Sequence, residues 1–254
     1  MAITIKSERE IELMAEAGKI LERVHNELDK ALRPGMSTKD IDTLGEEIIR
    51  SYGCMPSFLN YNGYPASICV SVNQEVVHGI PDKHRIIQEG DIVSLDAGVI
   101  YKGYHSDAAR THAVGEVSEE AKKLIQVTKE SFFEGIKFAK AGNHLFDISG
   151  AIGRYAEERG YGVVRDLCGH GIGTALHEAP EIPNYEVGRK GVRLRPGMTL
   201  AIEPMINIGT HEVDWLDDDW TVVTRDGSLS AHYENTILIT EGEPRILSLT
   251  CENE

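Results

Sequence analysis

The chain has 254 residues and a formal net charge of −15. This length is enough for one large domain with a buried core, and we expect a single domain over 1–254, with halves at about 1–115 and 116–254. The acidic charge argues against a general nucleic-acid-binding protein, which would need a basic face. No apolar run approaches the roughly 18 residues of a membrane span, and the first residues lack a signal-peptide pattern. The four cysteines form neither a metal-binding spacing nor a disulfide framework, so we expect a reduced, cytoplasmic protein.

The first half opens with two predicted helices. Ser7 and Glu10 fit a capping box, and the apolar stripe that follows continues until Pro34 and Gly35 stop it. A second helix is predicted from Ser37 to Gly53. A turn-rich aromatic segment, 58–64, leads into a strand near 66–72, and 73–81 is predicted to be a loop that carries a histidine.

A β-hairpin over 94–111 is the central prediction of the first half. Lys102 and Gly103 fit a tight turn between two β-prone runs. That turn places Asp107 opposite Gly98, with Asp96 as a diagonal neighbour roughly 7–8 Å away. A carboxylate within an apolar strand is costly unless it is paired or bound to a cation. The alternative is two solvated charges on an exposed face.

The second half is predicted to contain helices over 118–140 and 145–159. Strands are predicted near 163–168, His177, 199–208, 220–224 and 230–240, and 180–196 is predicted to be a long surface connection.

An internal repeat with an offset of 107 residues links the halves. It relates Gly35 to Gly142, Gly53 to Gly160, Gly90 to Gly197 and Asp96 to Glu203. We therefore predict two similar halves about a pseudo-twofold axis, with Glu234 as the counterpart of Asp107. Four carboxylates would then converge: Asp96, Asp107, Glu203 and Glu234.

A histidine between glycines, His170, adds an imidazole to this set. Several carboxylates with one imidazole suit two divalent first-row ions, whereas a lone histidine in such a loop is more often satisfied by backbone hydrogen bonds. Two further histidines, His78 and His177, could stabilise charge or hold a substrate amide. The alternative for each is an ordinary surface histidine.

The motifs around these residues resemble those of type I methionine aminopeptidases over nearly the whole chain. The motif residues are His78, Asp96, Asp107, His170, His177, Glu203 and Glu234. The resemblance implies an α/β (α+β) pita-bread fold, with two pseudo-twofold-related halves, a central antiparallel sheet and outer helices. It also implies removal of the initiator methionine from nascent proteins, with a preference for a small second residue, by hydroxide bridging two ions of cobalt, manganese, iron or zinc.

The resemblance also implies roles for individual residues. Asp107 and Glu234 would bridge the two metals, Asp96 would complete one site, and His170 with Glu203 would complete the other. Glu203 would also shuttle a proton, and His78 and His177 would contact the scissile amide. The implied methionine pocket is formed by Phe58, Tyr61, Tyr64, Cys69, Leu176 and Trp220. A monovalent cation is implied near Asn73, Glu75 and Ser230. Members of the family often differ at Phe58, Leu176 and His232, and His232 receives no role.

Other functions remain open at this point. The nearest is an aminopeptidase for proline-containing peptides, followed by a non-catalytic binding protein and a calcium site, which the imidazole disfavours. The expected partners are peptides with N-terminal methionine and nascent polypeptides, bound by a monomer without membrane or specific nucleic-acid contacts. A transient ribosome contact would use one of two basic segments: Arg189, Lys190, Arg193 and Arg195, or Lys122, Lys123, Lys129, Lys137 and Lys140.

Overall fold

The computed structural model describes residues 3–249. Its helices are α1 Glu8–Ala31, α2 Thr38–Ser51, α3 Glu119–Ile136 and α4 Leu145–Glu157, and a 3-10 turn spans Tyr61–Gly63. The strands up to the middle of the chain are β1 Met55–Pro56, β2 Ile68–Val72, β3 Glu75–Val77, β4 Ile92–Tyr101 and β5 Tyr104–Ala113. The later strands are β6 Gly162–Val163, β7 Gly169–Gly171, β8 Glu178–Ile182, β9 Thr199–Ile202, β10 Met205–Asn207, β11 Val213–Trp215, β12 Val222–Thr224, β13 Ser230–His232, β14 Asn235–Leu238 and β15 Arg245–Ile246.

The helices begin where the sequence places their caps. Ser7 and Glu10 form the capping box of α1, where the Ser7 amide donates to the Glu10 carboxylate at 2.7 Å. Ser37 caps α2 in the same way. The face of α1 that carries Met14, Leu21 and other apolar side chains is buried, and α1 packs against β4 and β5. Helices therefore cover the outside of the sheets that carry the candidate site.

The strands form antiparallel sheets in which the predicted hairpin is central. β4 pairs with β5, the turn lies at Lys102 and Gly103, and Gly98 lies opposite Asp107 as predicted. Across the described strands the remaining orders are β1-β4-β2, β15-β14-β9-β7-β8, β13-β10-β6 and β11-β12-β3. The last sheet joins a strand of the first half, β3, to the β11–β12 hairpin of the second half.

The repeat is confirmed by matching backbone hydrogen bonds. Ser37 forms an isolated β-bridge with Ile86. The residues 107 positions later, His144 and Arg193, form the same bridge. The amide of Gly35 donates to Ile87, and that of Gly142 donates to Leu194 in the same way. The two halves thus share both their helix starts and the segment that leads into the carboxylate strand.

An insertion in the second half shifts the register of its returning strand. The Gly90 amide donates to the Val114 carbonyl, and its counterpart Gly197 donates to the Ile239 carbonyl. Val114 therefore corresponds to Ile239, an offset of 125 residues in place of 107. With that offset the counterpart of Asp107 is His232. The prediction that Glu234 is this counterpart is wrong, because the 18 additional residues lie between β10 and β13. Glu234 instead corresponds to Ala109.

Two threonine hydroxyls show this symmetry directly. The Thr236 hydroxyl accepts from the Asp107 amide and donates to the Asp107 carbonyl, both at 2.9 Å. The Thr111 hydroxyl accepts from the His232 amide at 2.9 Å and donates to the His232 carbonyl at 3.0 Å. Each half therefore uses one threonine to hold the backbone of the other half.

Several predicted boundaries are wrong. The strands predicted over 199–208 and 230–240 are each interrupted, at Glu203-Pro204 and at 233–234. At the first interruption, proline has no amide to continue a ladder. The predicted loop 73–81 contains β3, and within the predicted strand 163–168 only Val163 lies in a strand, the end of β6. The segment 180–196 includes part of β8 and buries Asn184 and Leu194. Helix α3 ends at Ile136, where tighter turns follow Gly135.

Within residues 3–249, no helix is both long enough and apolar enough to cross a membrane. Cys54, Cys69 and Cys168 are free thiols. The fourth cysteine, Cys251, lies outside the described residues.

The threonine bracket around Asp107 predicts a stability effect. Thr236→Val keeps the shape of the side chain but leaves the buried amide of Asp107 without its partner. We expect the free energy of unfolding to fall by about 1–3 kcal/mol, measured by urea denaturation. Thr43→Val is the control, because Thr43 is exposed and its hydroxyl donates to the Lys39 carbonyl within α2. We expect the free energy of unfolding of this variant to change by no more than about 0.5 kcal/mol. Equal effects in both variants would contradict a structural role for the bracket.

Candidate metal centre

Four carboxylates and one imidazole converge between the two halves; Asp107 and Glu234 are buried, and Asp96 and Glu203 are half-buried. Asp96 and Asp107 lie within the continuous strands β4 and β5, whereas Glu203 and Glu234 lie at the two strand interruptions. Ligand atoms of Asp107, His170 and Glu234 all lie within 4.8 Å of one another. His170 Nε2 is 3.9 Å from Asp107 and 3.6 Å from Glu203. The structure thus brings together the five residues that the sequence identified as candidate ligands.

Unpartnered buried oxygens show that this cluster suits a cation. Asp96 Oδ1, Asp107 Oδ1 and Glu234 Oε1 have no hydrogen-bond partner among the described residues. Buried carboxylate oxygens without donors are costly, and a divalent ion supplies the missing positive charge. Carboxylates with one imidazole form a donor set typical of first-row divalent ions.

Burial and mutual repulsion set the protonation of the carboxylates. Burial raises the pKa of Asp96 to about 7. Burial, together with the neighbouring charges of Asp96 and Glu203, holds the pKa of Asp107 well above its usual range. Burial likewise raises the pKa of Glu203 and of Glu234. Without a cation, the cluster therefore retains protons that exposed carboxyl groups lose.

The imidazole of His170 is held neutral and correctly oriented for coordination. Burial lowers the pKa of His170 to about 3, so the ring carries one proton at neutral pH. Its Nδ1 donates to the Gly171 carbonyl at 2.9 Å. The lone pair therefore lies on Nε2, the nitrogen that faces the carboxylates.

Two histidines flank the cluster without joining it. His78 has a left-handed backbone, with φ of 60°, an uncommon conformation for a residue with a side chain. Burial lowers its pKa to about 4, and it lies edge-on to Trp220, 6.2 Å between centroids. The ring of His177 lies 4.0 Å from that of His170, and its Nδ1 is 2.7 Å from the Tyr61 hydroxyl.

A cavity of about 210 Å³ opens beside these groups. All six residues predicted for the methionine pocket line it: Phe58, Tyr61, Tyr64, Cys69, Leu176 and Trp220. Tyr64 packs edge-on against Trp220 and donates its hydroxyl to the Gly79 carbonyl at 2.9 Å. The wall is therefore apolar and aromatic, and its tyrosine is fixed in place.

The residues predicted for a monovalent cation do not line this cavity. Asn73 and Ser230 are neighbours, since the Ser230 amide donates to the Asn73 carbonyl at 3.0 Å. The Asn73 side chain bonds to Asp91 and to the Ile92 amide, and Glu75 accepts from the Val72 amide. Their side chains thus brace the strand ends.

Sequence reasoning assigned no role to His232, which is buried beside the carboxylates. Its Nε2 lies 3.7 Å from Glu203 Oε2. One signal in the sequence could have found it, because residues two apart in a strand share a face and His232 precedes Glu234 by two. Asn62, at the mouth of the cavity, was also missed.

The raised pKa of Asp96 predicts how the stability of metal-free protein varies with pH. From about pH 4 to about pH 7 the unfolded state ionises this group while the folded state keeps the proton, so stability is lost as pH rises. Asp96→Asn removes that loss and also relieves repulsion on Asp107. We therefore expect the free energy of unfolding of the variant, relative to wild type, to rise across this window in urea titrations with chelator.

Asp226→Asn is the matched control for this experiment. Hydrogen bonds from Ser228 and Thr210 lower the pKa of the exposed Asp226 to about 2. Its effect should be constant above about pH 5, since both states are then ionised. A pH-independent difference between Asp96→Asn and wild type would contradict the raised pKa.

Comparison with known proteins agrees with this site. The profile of metallopeptidase family M24 matches residues 12–241. The methionine aminopeptidase of Clostridium acetobutylicum is 57% identical, over 98% of this chain and 100% of its own. The crystal structure of methionine aminopeptidase from Thermotoga maritima superposes with a TM-score of 0.96 at 47% identity, covering 98% of this chain and 100% of its own. An Xaa-Pro dipeptidase from Bacillus anthracis gives 0.78 at 27% identity, with 98% of this chain but only 63% of its own covered. The chain has the pita-bread fold and belongs to metallopeptidase family M24, among its methionine aminopeptidases.

Proposed function

We propose that this protein removes the initiator methionine from nascent polypeptides and peptides as a dinuclear metallo-aminopeptidase. One observation carries the proposal: a cluster of buried carboxylates and an imidazole opens directly onto an aromatic cavity that can enclose one apolar side chain. The membership of the M24 family supports metal-dependent hydrolysis. Because the ligands come from both halves, we also propose that residues 1–254 act as one catalytic domain.

The five convergent residues would hold two divalent ions of cobalt, manganese, iron or zinc. Asp107 and Glu234 would serve both ions, Asp96 would serve one, and His170 and Glu203 the other. When bound, such ions lower the pKa of water towards neutrality and polarise a carbonyl group. The unpartnered oxygens of Asp96, Asp107 and Glu234 support this assignment. A monovalent cation near Asn73, Glu75 and Ser230 remains part of the proposal.

Glu203 would accept the proton of the attacking water and pass it to the leaving amine. Its carboxylate lies at the interruption between β9 and β10, facing His170 on one side. Beside a bound divalent ion this carboxyl group would stay ionised, so it could act as a base towards the attacking water. Transfer in both directions requires only that this carboxylate remain close to the reacting carbon.

His177 and His78 would stabilise the oxygen of the scissile amide as it gains charge. The Tyr61 hydroxyl, 2.7 Å from His177 Nδ1, would donate to that nitrogen and so keep the proton of His177 on Nε2. A donor of this kind typically stabilises the transition state by about 3–4 kcal/mol. His78 lines the same cavity, beside Trp220.

The cavity supports recognition of methionine. Tyr64 and Trp220 present aromatic rings, and buried Cys69, which lies opposite Asp96 in the β2–β4 pair, adds a thiol to the lining. Contacts between sulfur and aromatic rings stabilise by about 0.3–1.5 kcal/mol. Limited room beside the ligands would favour a small second residue.

The main alternative is cleavage before proline, because an Xaa-Pro dipeptidase shares the fold. The sequence identity to methionine aminopeptidases is much higher and extends over both chains. A non-catalytic role is disfavoured since all five candidate ligands are present, and a calcium site is disfavoured by the imidazole.

We further propose a cytoplasmic monomer that meets nascent chains at the ribosome. Arg189, Lys190, Arg193 and Arg195 are all exposed. In contrast, Lys122, Lys137 and Lys140 each lie in an ion pair with a glutamate. The arginine-rich segment is therefore the better candidate for contact with ribosomal RNA.

A peptide assay tests the proposed function. Purified protein loaded with Mn²⁺ or Co²⁺ should release methionine from Met-Gly and Met-Ala tripeptides and leave Xaa-Pro peptides intact. Chelation should abolish the reaction, and elemental analysis should find two ions per chain. Preferential cleavage of Xaa-Pro peptides, or full activity after chelation, would refute the proposal.

The placement of His177 predicts a defect in turnover without loss of metal. His177→Ala should lower kcat by about 10²–10³-fold, while metal content remains at the wild-type level. Tyr61→Phe should give a smaller loss, since it removes only the group that orients the imidazole. His84→Ala, an exposed histidine, should retain wild-type kinetics. Metal loss in the His177 variant would make it a ligand and contradict this role.

A further inference from the structure

His232 is a buried histidine that has no role in the proposed mechanism. Its side chain is 2% exposed, and its Nε2 has no hydrogen-bond partner among the described residues. A buried donor or acceptor without a partner destabilises the folded state. The carboxylate oxygen in an ion-pair geometry with this nitrogen is Glu203 Oε2, at 3.7 Å.

The backbone fixes where this imidazole lies. The Thr111 hydroxyl brackets the amide and carbonyl of His232, and β13 pairs with β10 so that His232 lies opposite Met205. The Thr111 hydroxyl is itself 2.8 Å from the Ser94 hydroxyl. Since His232 is also the symmetry counterpart of Asp107, its side chain starts from a position that faces the centre of the site.

The carboxylate of Glu203 lies between two imidazoles. Oε1 is 3.6 Å from His170 Nε2, and Oε2 is 3.7 Å from His232 Nε2. If Oε1 binds the same metal ion as His170, Oε2 does not bind that ion and faces His232. Ligating carboxylates are usually held by an outer hydrogen bond. The gap exceeds a normal hydrogen bond by about 0.5–1 Å, and the terminal torsion of glutamate is soft enough to close it.

We propose that His232 is a positioning residue that donates its Nε2 proton to Oε2 of Glu203. This hydrogen bond fixes the rotation of the carboxylate, so that Oε1 is presented to the ion shared with His170. The inference rests on the proposed metal-binding function, and it adds a residue that acts through a ligand rather than as one. A glutamine at this position can supply an amide donor of similar reach.

Metal titration of His232 variants tests this inference. Calorimetric titration of chelator-treated protein with Mn²⁺ should show affinity for one ion about 10–100-fold weaker in His232→Leu. His232→Gln should restore affinity to near wild type, because it keeps a donor. Because the Glu203 carboxylate is then no longer held in orientation, His232→Leu should also lower kcat by a larger factor than it changes KM for a Met-Gly peptide.

His112→Leu is the matched control. His112 lies on β5, its Nδ1 is 2.7 Å from Asp29, and it is not among the residues that line the cavity at the carboxylates. This variant should bind metal like wild type even if its thermal unfolding temperature falls. Thermal unfolding of each metal-free variant shows whether the fold has been retained.

Two results would overturn the inference alone: wild-type metal affinity in His232→Leu, or equal losses in the Leu and Gln variants. Wild-type protein that takes up no metal would overturn the proposed function and this inference with it. The two failures are therefore distinguishable by the titration of the wild type.

Discussion

Two backbone hydrogen bonds between Ala109 and Glu234 connect the halves at the centre of the site. The Glu234 amide donates to the Ala109 carbonyl at 3.0 Å, and the Ala109 amide donates to the Glu234 carbonyl at 3.4 Å. The two residues are counterparts, so the pseudo-twofold axis passes between them. The candidate ligands come from both sides of this contact, and the cluster can form only after the halves have docked. Docking and assembly of the site are thus one event.

Burial at the junction of the halves leaves the carboxylates without positive charge from the neighbouring imidazoles. Burial raises the pKa of Asp96, Asp107, Glu203 and Glu234, and it lowers the pKa of His170 and His232 to about 3. Neutral imidazoles cannot balance the carboxylates. A divalent ion that binds only the folded chain would therefore stabilise it by mass action, and the stability of this fold should depend on metal supply.

The sequence predicts the first half of the site well because its signals are local. The turn at Lys102 and Gly103, the alternation around it and the repeated glycines all lie within short stretches. The second half is less predictable, since nothing in the sequence indicates where the 18 additional residues enter the register. That shift made Glu234 rather than His232 the expected counterpart of Asp107. The pocket residues come from three separate parts of the chain, 58–69, Leu176 and Trp220, and only the resemblance to a family brought them together.

The additional residues also make the two sides of a nearly symmetric site different. With perfect twofold symmetry, both halves would present the same side chains to a bound peptide. The β11–β12 hairpin lies within the insertion and has no counterpart in the first half. It pairs with β3, and Trp220, between its strands, lies edge-on to His78, which follows β3. Both residues line the cavity. The insertion thereby adds an aromatic wall beside the carboxylates for which the first half has no counterpart.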